Sequence, residues 1–192
     1  MAEFGHAEAV ELARIGHTHR SVPFRLASGE LNRDYIDAKY PISDARALRL
    51  VGEYALQRVN DLGITFTAVG GPTMGADALA YTLTILGGKR WFSVAKVPLP
   101  DTPEEEWIAG TRLGEGDEIL LVEDTVSTGG SLVKAMERIR TDRRGKLARF
   151  AGVMTFVDRG DLARQRFEDL EIPYLALVNY NDLGIEPIRG VS

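Results

Sequence analysis

Residues 119–131, ILLVEDTVSTGGS, constrain the fold of this chain more than any other stretch. A run of branched apolar residues without polar alternation suits a strand buried on both faces, and such strands belong to parallel sheets covered by helices. The run breaks into Glu123 and Asp124, then into Thr125, Val126, Ser127, Thr128, Gly129, Gly130 and Ser131. Glycines let backbone approach a ligand closely, hydroxyls donate hydrogen bonds, and a helix opening near Ser131 turns its free N–H groups toward the same point. That combination is an anion pocket, most simply a phosphate pocket. Two carboxylates just before it would repel phosphate but accept hydrogen bonds from sugar hydroxyls, so the loop reads as a ribose 5-phosphate site. It lacks the Gly-Lys-Ser/Thr core of a Walker loop and the GxGxxG dinucleotide fingerprint. The bland alternative is a capped strand-to-helix turn without a ligand.

The rest of the chain supplies the sheet that such a strand needs. Residues 7–15 are amphipathic up to Gly16, and residues 23–42 mix β-prone residues with a Ser28-Gly29 turn signal, giving one or two short strands. Ser43 and Asp44 offer caps to a helix whose Leu48, Val51, Ala55, Val59 and Leu62 recur at three- and four-residue steps until Gly63. Strands are expected at 64–71, 90–97, 118–124, 150–158 and 174–180, with helices through 78–86, from Ser131 to about Thr141, and at 162–170. Alternation of this kind predicts an α/β fold: a mostly parallel twisted sheet flanked by helices, with right-handed crossovers. At 192 residues one domain is expected, with about 1–42 as an N-terminal helix and hood and about 43–192 as the α/β core.

A net charge of −5 gives no reason to expect nucleic-acid binding, and the basic cluster at 138–146 reads as a solvated helix end. There is no Cys, which excludes disulfide and thiolate chemistry. No run approaches the length of a membrane span, and the first residues lack the order of a secretory signal, so a cytoplasmic protein without membrane partners is expected. Residues 98–117, PLPDTPEEEWIAGTRLGEGD, read as a long structureless loop, the kind that is usually functional. Trp107 within it is too large and apolar to stay in water and is expected to dock on a partner subunit or a closed site. His17 and His19 face no carboxylate at a matching spacing and read as surface residues. Asp158 and Arg159 could form a simple ion pair. Phe24, Tyr35 and Tyr40 could equally stack on a base or pack in the core.

The 119–131 motif resembles the 5-phosphoribosyl-1-diphosphate (PRPP) binding motif of type I phosphoribosyltransferases. FRLASGELNRDYID (24–37), VGGPTMGADALA (69–80) and TFVDRGD (155–161) narrow the resemblance to orotate phosphoribosyltransferases. The resemblance implies a phosphoribosyltransferase fold with a small hood, a homodimer, and Mg²⁺ carried by PRPP near Asp124 without dedicated metal ligands. It implies a diphosphate loop at Gly71, Pro72, Thr73, Met74 and Gly75, and base contacts from Arg159, Tyr35 and Ser28. Glu123, Asp124 and Lys96 are the catalytic candidates. The chain departs from the family pattern at Ala27, where Lys is usual, and at 95–110, AKVPLPDTPEEEWIAG, where several cations are usual and Lys96 is the one that remains. Two functions fit: transfer of phosphoribose from PRPP to a base, orotate by resemblance though another acceptor is open, or a non-catalytic protein that binds PRPP or a nucleotide. The acidic loop predicts slower orotate transfer than in relatives whose loops carry Lys and His.

Overall fold

The alternation of strands and helices is realised in the computed structural model, which describes residues 4–25, 31–99, 106–143 and 145–188. Helix α1 (His6–Ile15) leads into strands β1 (His17–Arg25) and β2 (Leu31–Ile36), which pair antiparallel as a small sheet of their own. Then come α2 (Ala45–Asp61), β3 (Ala68–Pro72), α3 (Asp77–Gly87), β4 (Arg90–Val94) and β5 (Ile108–Gly110). The chain continues through β6 (Glu118–Val126), α4 (Gly130–Thr141), β7 (Arg149–Asp158), α5 (Leu162–Asp169) and β8 (Tyr174–Asn179). The last six strands form one sheet in the order β5-β4-β3-β6-β7-β8, parallel except at β5.

Helices cover both faces of this sheet, and β6 shows why its sequence is apolar throughout. Leu120 and Val122 face a core that includes Val51, Ala55 and Leu79 from α2 and α3. Ile119 and Leu121 face a second core that includes Leu132, Met136 and Phe167 from α4 and α5. All four are fully buried, and each such side chain contributes about 1.5–3 kcal/mol relative to an exposed one. From β3 the chain winds outward to β4, while β6 to β8 extend the other way. The order reverses between β3 and β6, and in open α/β sheets ligands bind beyond the carboxyl ends of the strands at that reversal.

Helix α2 matches its expectation closely: the Asp44 carboxylate accepts hydrogen bonds from the backbone N–H groups of Arg46 and Ala47, both at 3.0 Å, and Gly63 at φ 68° follows its end. Other boundaries shift. The strand expected at 64–71 starts at Ala68, because Ile64 turns back to donate its N–H to Val59 O and buries its side chain beside Phe66 in the core. The strand expected at 90–97 ends at Val94.

The stretch read as structureless contains β5, three residues long, paired antiparallel with Phe92–Val94. The Ala95 and Leu99 N–H groups bond Trp107 O and Glu106 O, so the two ends of this segment run together. Within its own chain Trp107 lies under Arg138, whose guanidinium is 4.6 Å from its ring centre, and its backbone N–H donates to Asp142. No helix of the described residues is long and apolar enough to cross a membrane.

Candidate active site

At the β3–β6 reversal the acidic pair sits at the end of β6, nearly withdrawn from solvent, with Glu123 7% and Asp124 6% exposed. The Thr125 N–H donates to Asp124 Oδ1 at 2.8 Å, which leaves Oδ2 as the outward oxygen. The loop that follows wraps a cavity of about 300 Å³ lined by Glu123, residues 125–132, Lys134 and Arg159. Gly129 takes the left-handed conformation at φ 73° as the N-cap of α4, which aims the first amides of that helix into the cavity. Thr125, Val126, Ser127, Thr128, Gly129, Gly130 and Ser131 all line this one cavity. Thr125 Oγ1 and Arg159 Nε are buried and, among the described residues, have no hydrogen-bond partner. Buried donors rarely stay unpaired, so a ligand oxygen is the natural partner for each. A larger hollow of about 520 Å³ between α1 and α2 has an apolar lining that includes Phe4, Leu12 and Ile15, and it lies away from this chemistry.

The loop after β3 closes over the acidic pair. A Cβ placed on Gly75 would overlap Glu123 Oε1 and lie 2.6 Å from Asp124 Oδ1, so only glycine lets this backbone come so near. Thr73 N–H donates to Val94 O at 3.1 Å, and the Thr73–Met74 peptide is cis. Gly71, Pro72, Thr73, Met74 and Gly75 thus arch beside the carboxylates. Lys96 follows β4 on the same edge, solvent-exposed, near enough for its charge to act on Glu123.

Arg159 and Asp158 do not form the ion pair that adjacency suggested. Successive side chains at a strand end point to opposite faces. Asp158 accepts from Gly160 N–H at 3.1 Å and the Tyr174 hydroxyl at 2.8 Å, and burial pushes its carboxyl up to about 6. Arg159 turns the other way, donating to Ile36 O at 3.1 Å and, at 3.5 Å, to Ser127 Oγ. It thereby ties the end of β2 to the 125–131 loop.

Tyr35 does not line the cavity; its ring meets Phe24 edge-on, with Arg20 4.8 Å above both rings. Ser28 falls outside the described residues. His17 and His19 do have a carboxylate: both rings bond Asp34 Oδ1, at 2.9 and 2.8 Å, across the β1–β2 hairpin.

Two cations escaped the sequence reading. Lys134 reaches the cavity from one turn inside α4, a position that helical spacing from Gly130 would have shown. Lys39, just beyond β2, donates to Asp124 Oδ2 at 2.9 Å, and no local signal marks that contact. Burial disfavours its charge, but the hydrogen bond to Asp124 and the charges of Asp124 and Asp37 outweigh that and hold its pKa above the ordinary lysine value. Lys89 and Arg90 lie at the amino end of β4, over Phe66 and against Asp117 respectively.

Burial, and after it the charge of Asp124, pushes the Glu123 carboxyl from 4.5 up to about 8. Between those values the folded chain holds a proton that the unfolded chain releases, so this group subtracts stability as pH rises through the window. Glu123→Gln should therefore melt a few degrees higher than the parent at pH 8 or above, and the difference should vanish near pH 4.5. About 1 kcal/mol of relieved penalty corresponds to roughly 2–4 °C in a chain of this size. Thermal melts across that range test it, and a difference that does not change with pH would place the titrating group elsewhere.

No family model matches the chain. The orotate phosphoribosyltransferase of Pyrococcus abyssi is 31% identical over 83% of this chain and 85% of its own length. That of Methanocaldococcus jannaschii is 32% identical over 83% and 86%. Among solved structures, Mycobacterium tuberculosis orotate phosphoribosyltransferase in complex with PRPP superposes with a TM-score of 0.71 at 30% identity, covering 94% of this chain and 99% of that one.

Proposed function

The chain belongs to the orotate phosphoribosyltransferase family, and we propose that its β3–β6 site transfers the phosphoribosyl group of PRPP to orotate, giving orotidine 5′-monophosphate and diphosphate. The observation that carries this assignment is the placing of three parts at one reversal point. The 125–131 cradle opens directly after the acidic pair, and the 71–75 loop presses its Gly75 onto those same carboxylates.

In this reading the 125–131 amides and hydroxyls bind the 5′-phosphate, Asp124 and Glu123 take ribose hydroxyls, and backbone N–H groups of 71–75 face the diphosphate. The C1′–O bond breaks with its electron pair leaving on diphosphate. A ring nitrogen of orotate supplies the pair for the new C1′–N bond and loses its proton to solvent. Arg159 receives the orotate carboxylate through Nε and the loosely engaged Nη1, as a planar donor fork suits a carboxylate. Lys96 adds positive charge at the diphosphate end.

Mg²⁺ favours carboxylate and phosphate oxygens and keeps several waters, a chemistry that the outward Asp124 oxygen beside the 71–75 loop fits. Asp124 would hold it together with the oxygens of PRPP, and it would offset charge on the departing diphosphate. A homodimer goes with the same reading, and the outer face of α3, with Tyr81 48% and Ile85 79% exposed, is a surface that association would cover. So does a cytoplasmic location.

Crystals soaked with ribose 5-phosphate test the cradle. The phosphate is expected against the 129–131 amides and Thr125 Oγ1, with ribose hydroxyls at Asp124. A phosphate bound elsewhere, or a cradle empty at saturation, contradicts the assignment.

A further inference from the structure

We propose that Lys39 is the hood's cation for the leaving diphosphate, held on Asp124 while the site is empty and passed to the diphosphate when PRPP binds; this rests on the site assignment above. The position of Lys39 is fixed by its surroundings. Arg159 holds Ile36 O, the Asp37 N–H donates to Gly16 O at 3.0 Å, and the Lys39 N–H donates to Asp37 Oδ1 at 3.2 Å. Directly afterwards Pro41 and Ile42 bury in a short 3₁₀ turn. The backbone around Lys39 is thus anchored on both sides.

The side chain is anchored only at its tip. It is half exposed, and its ammonium lies 2.9 Å from Asp124 Oδ2 and 3.5 Å from Asp37 Oδ1. The Asp124 oxygen that Lys39 occupies is the outward one, the same oxygen that ribose hydroxyls need. Ligand binding therefore has to displace the ammonium or share it. The 71–75 loop lies beside it, since Gly75 packs against the other Asp124 oxygen. A lysine has four rotatable bonds and three donors, so a short swing moves its charge without moving the backbone.

Charge balance points the same way. In the empty site an unpaired Asp124 would oppose an approaching diphosphate, and the Lys39 contact cancels that repulsion. Once ribose or Mg²⁺ takes over the carboxylate, the freed ammonium lies where negative charge accumulates as the C1′–O bond breaks, the position in which a positioned cation has most effect on rate. Lys96 is followed in sequence by Asp101, Glu104, Glu105 and Glu106. Lys39 belongs to a part of the chain far from that acidic segment in sequence.

Lys39→Met and Lys39→Arg separate the possibilities. Calorimetric titrations with ribose 5-phosphate, with diphosphate plus Mg²⁺ and with PRPP plus Mg²⁺ are compared with orotate turnover and with melting of each variant. Lys39→Met is expected to lose about 10- to 100-fold in affinity for diphosphate and PRPP, the range of a lost charged hydrogen bond. Its kcat should fall as well as its KM rise, while ribose 5-phosphate affinity stays within about threefold. Lys39→Arg should recover most of both. Equal losses for ribose 5-phosphate and diphosphate would make Lys39 a prop for Asp124 only, and unchanged affinities would remove it from the site; either overturns the inference. A parent chain that binds no PRPP overturns the site assignment itself, and this inference with it.

Discussion

Asp124→Asn is expected to weaken ribose 5-phosphate and PRPP binding by about 10- to 100-fold and to leave inorganic phosphate within about twofold. The substitution is nearly isosteric, and an amide oxygen at the Oδ1 position still accepts the Thr125 N–H, so the start of the cradle keeps its shape. What changes is the outward atom. There an –NH₂ replaces a carboxylate oxygen, and it can neither accept ribose hydroxyls nor balance the Lys39 ammonium. A charged hydrogen bond contributes about 1.5–3 kcal/mol, and that is the loss expected for any ligand that carries the sugar. Phosphate alone is expected to touch only the amides and hydroxyls of 125–131 and should not register the change. Parallel calorimetric titrations with the two ligands decide it. Equal losses would mean that the acidic pair supports the loop and does not read the sugar.

Arg159→Met is expected to reduce kcat/KM for orotate by about 10² to 10³, with PRPP affinity changing by no more than a few-fold. Removing one partner of a buried charged pair costs roughly 2–5 kcal/mol, because the other charge is left buried and unpaired. In the proposed site the charge left behind would be the orotate carboxylate. The guanidinium also donates to Ile36 O, so part of the loss could come from a loosened hood. Uracil, which has the ring without the carboxylate, separates the two causes. If Arg159 reads the carboxylate, the substitution should erase the preference for orotate over uracil while barely affecting the weak reaction with uracil. If both bases lose activity equally, Arg159 positions the hood and the carboxylate is recognised elsewhere.

The parts of the site legible in the sequence are those written locally. The β6 run, the carboxylates and the glycine-hydroxyl loop lie within 13 residues, and their chemistry follows from residue type and from the strand-to-helix turn that they form. The α2 cap and the α/β alternation were readable for the same reason. Contacts made by register and packing were not readable. Lys39 and Asp124 are 85 positions apart, and Arg159 and Ile36 are 123 apart. Nothing in either neighbourhood announces its partner.

Asp34 lay too far along the chain to be matched with His17 and His19 until the hairpin folded it between them. Burial acts to raise its carboxyl, and the hydrogen bonds from His19 and His17 overcome that and hold it below the usual range. Strand β5 was missed because three residues at a sheet edge, flanked by proline and acidic residues, carry too little periodicity to stand out.

The shortage of cations read from the 95–110 segment is partly offset by residues outside it. Lys39 enters from the hood and Lys134 from α4. A site that looks poor in positive charge along the sequence is less so in space, which raises the turnover to be expected from this chain above what the acidic loop alone suggested.

Spectrophotometric assay of orotate with PRPP and Mg²⁺ tests the central claim most directly. Consumption of orotate should require both other components, release one diphosphate per orotate consumed, and be abolished or severely slowed by Arg159→Met. A chain that binds PRPP tightly yet consumes neither orotate nor any other base in a panel would contradict the account and make the site a sensor of PRPP.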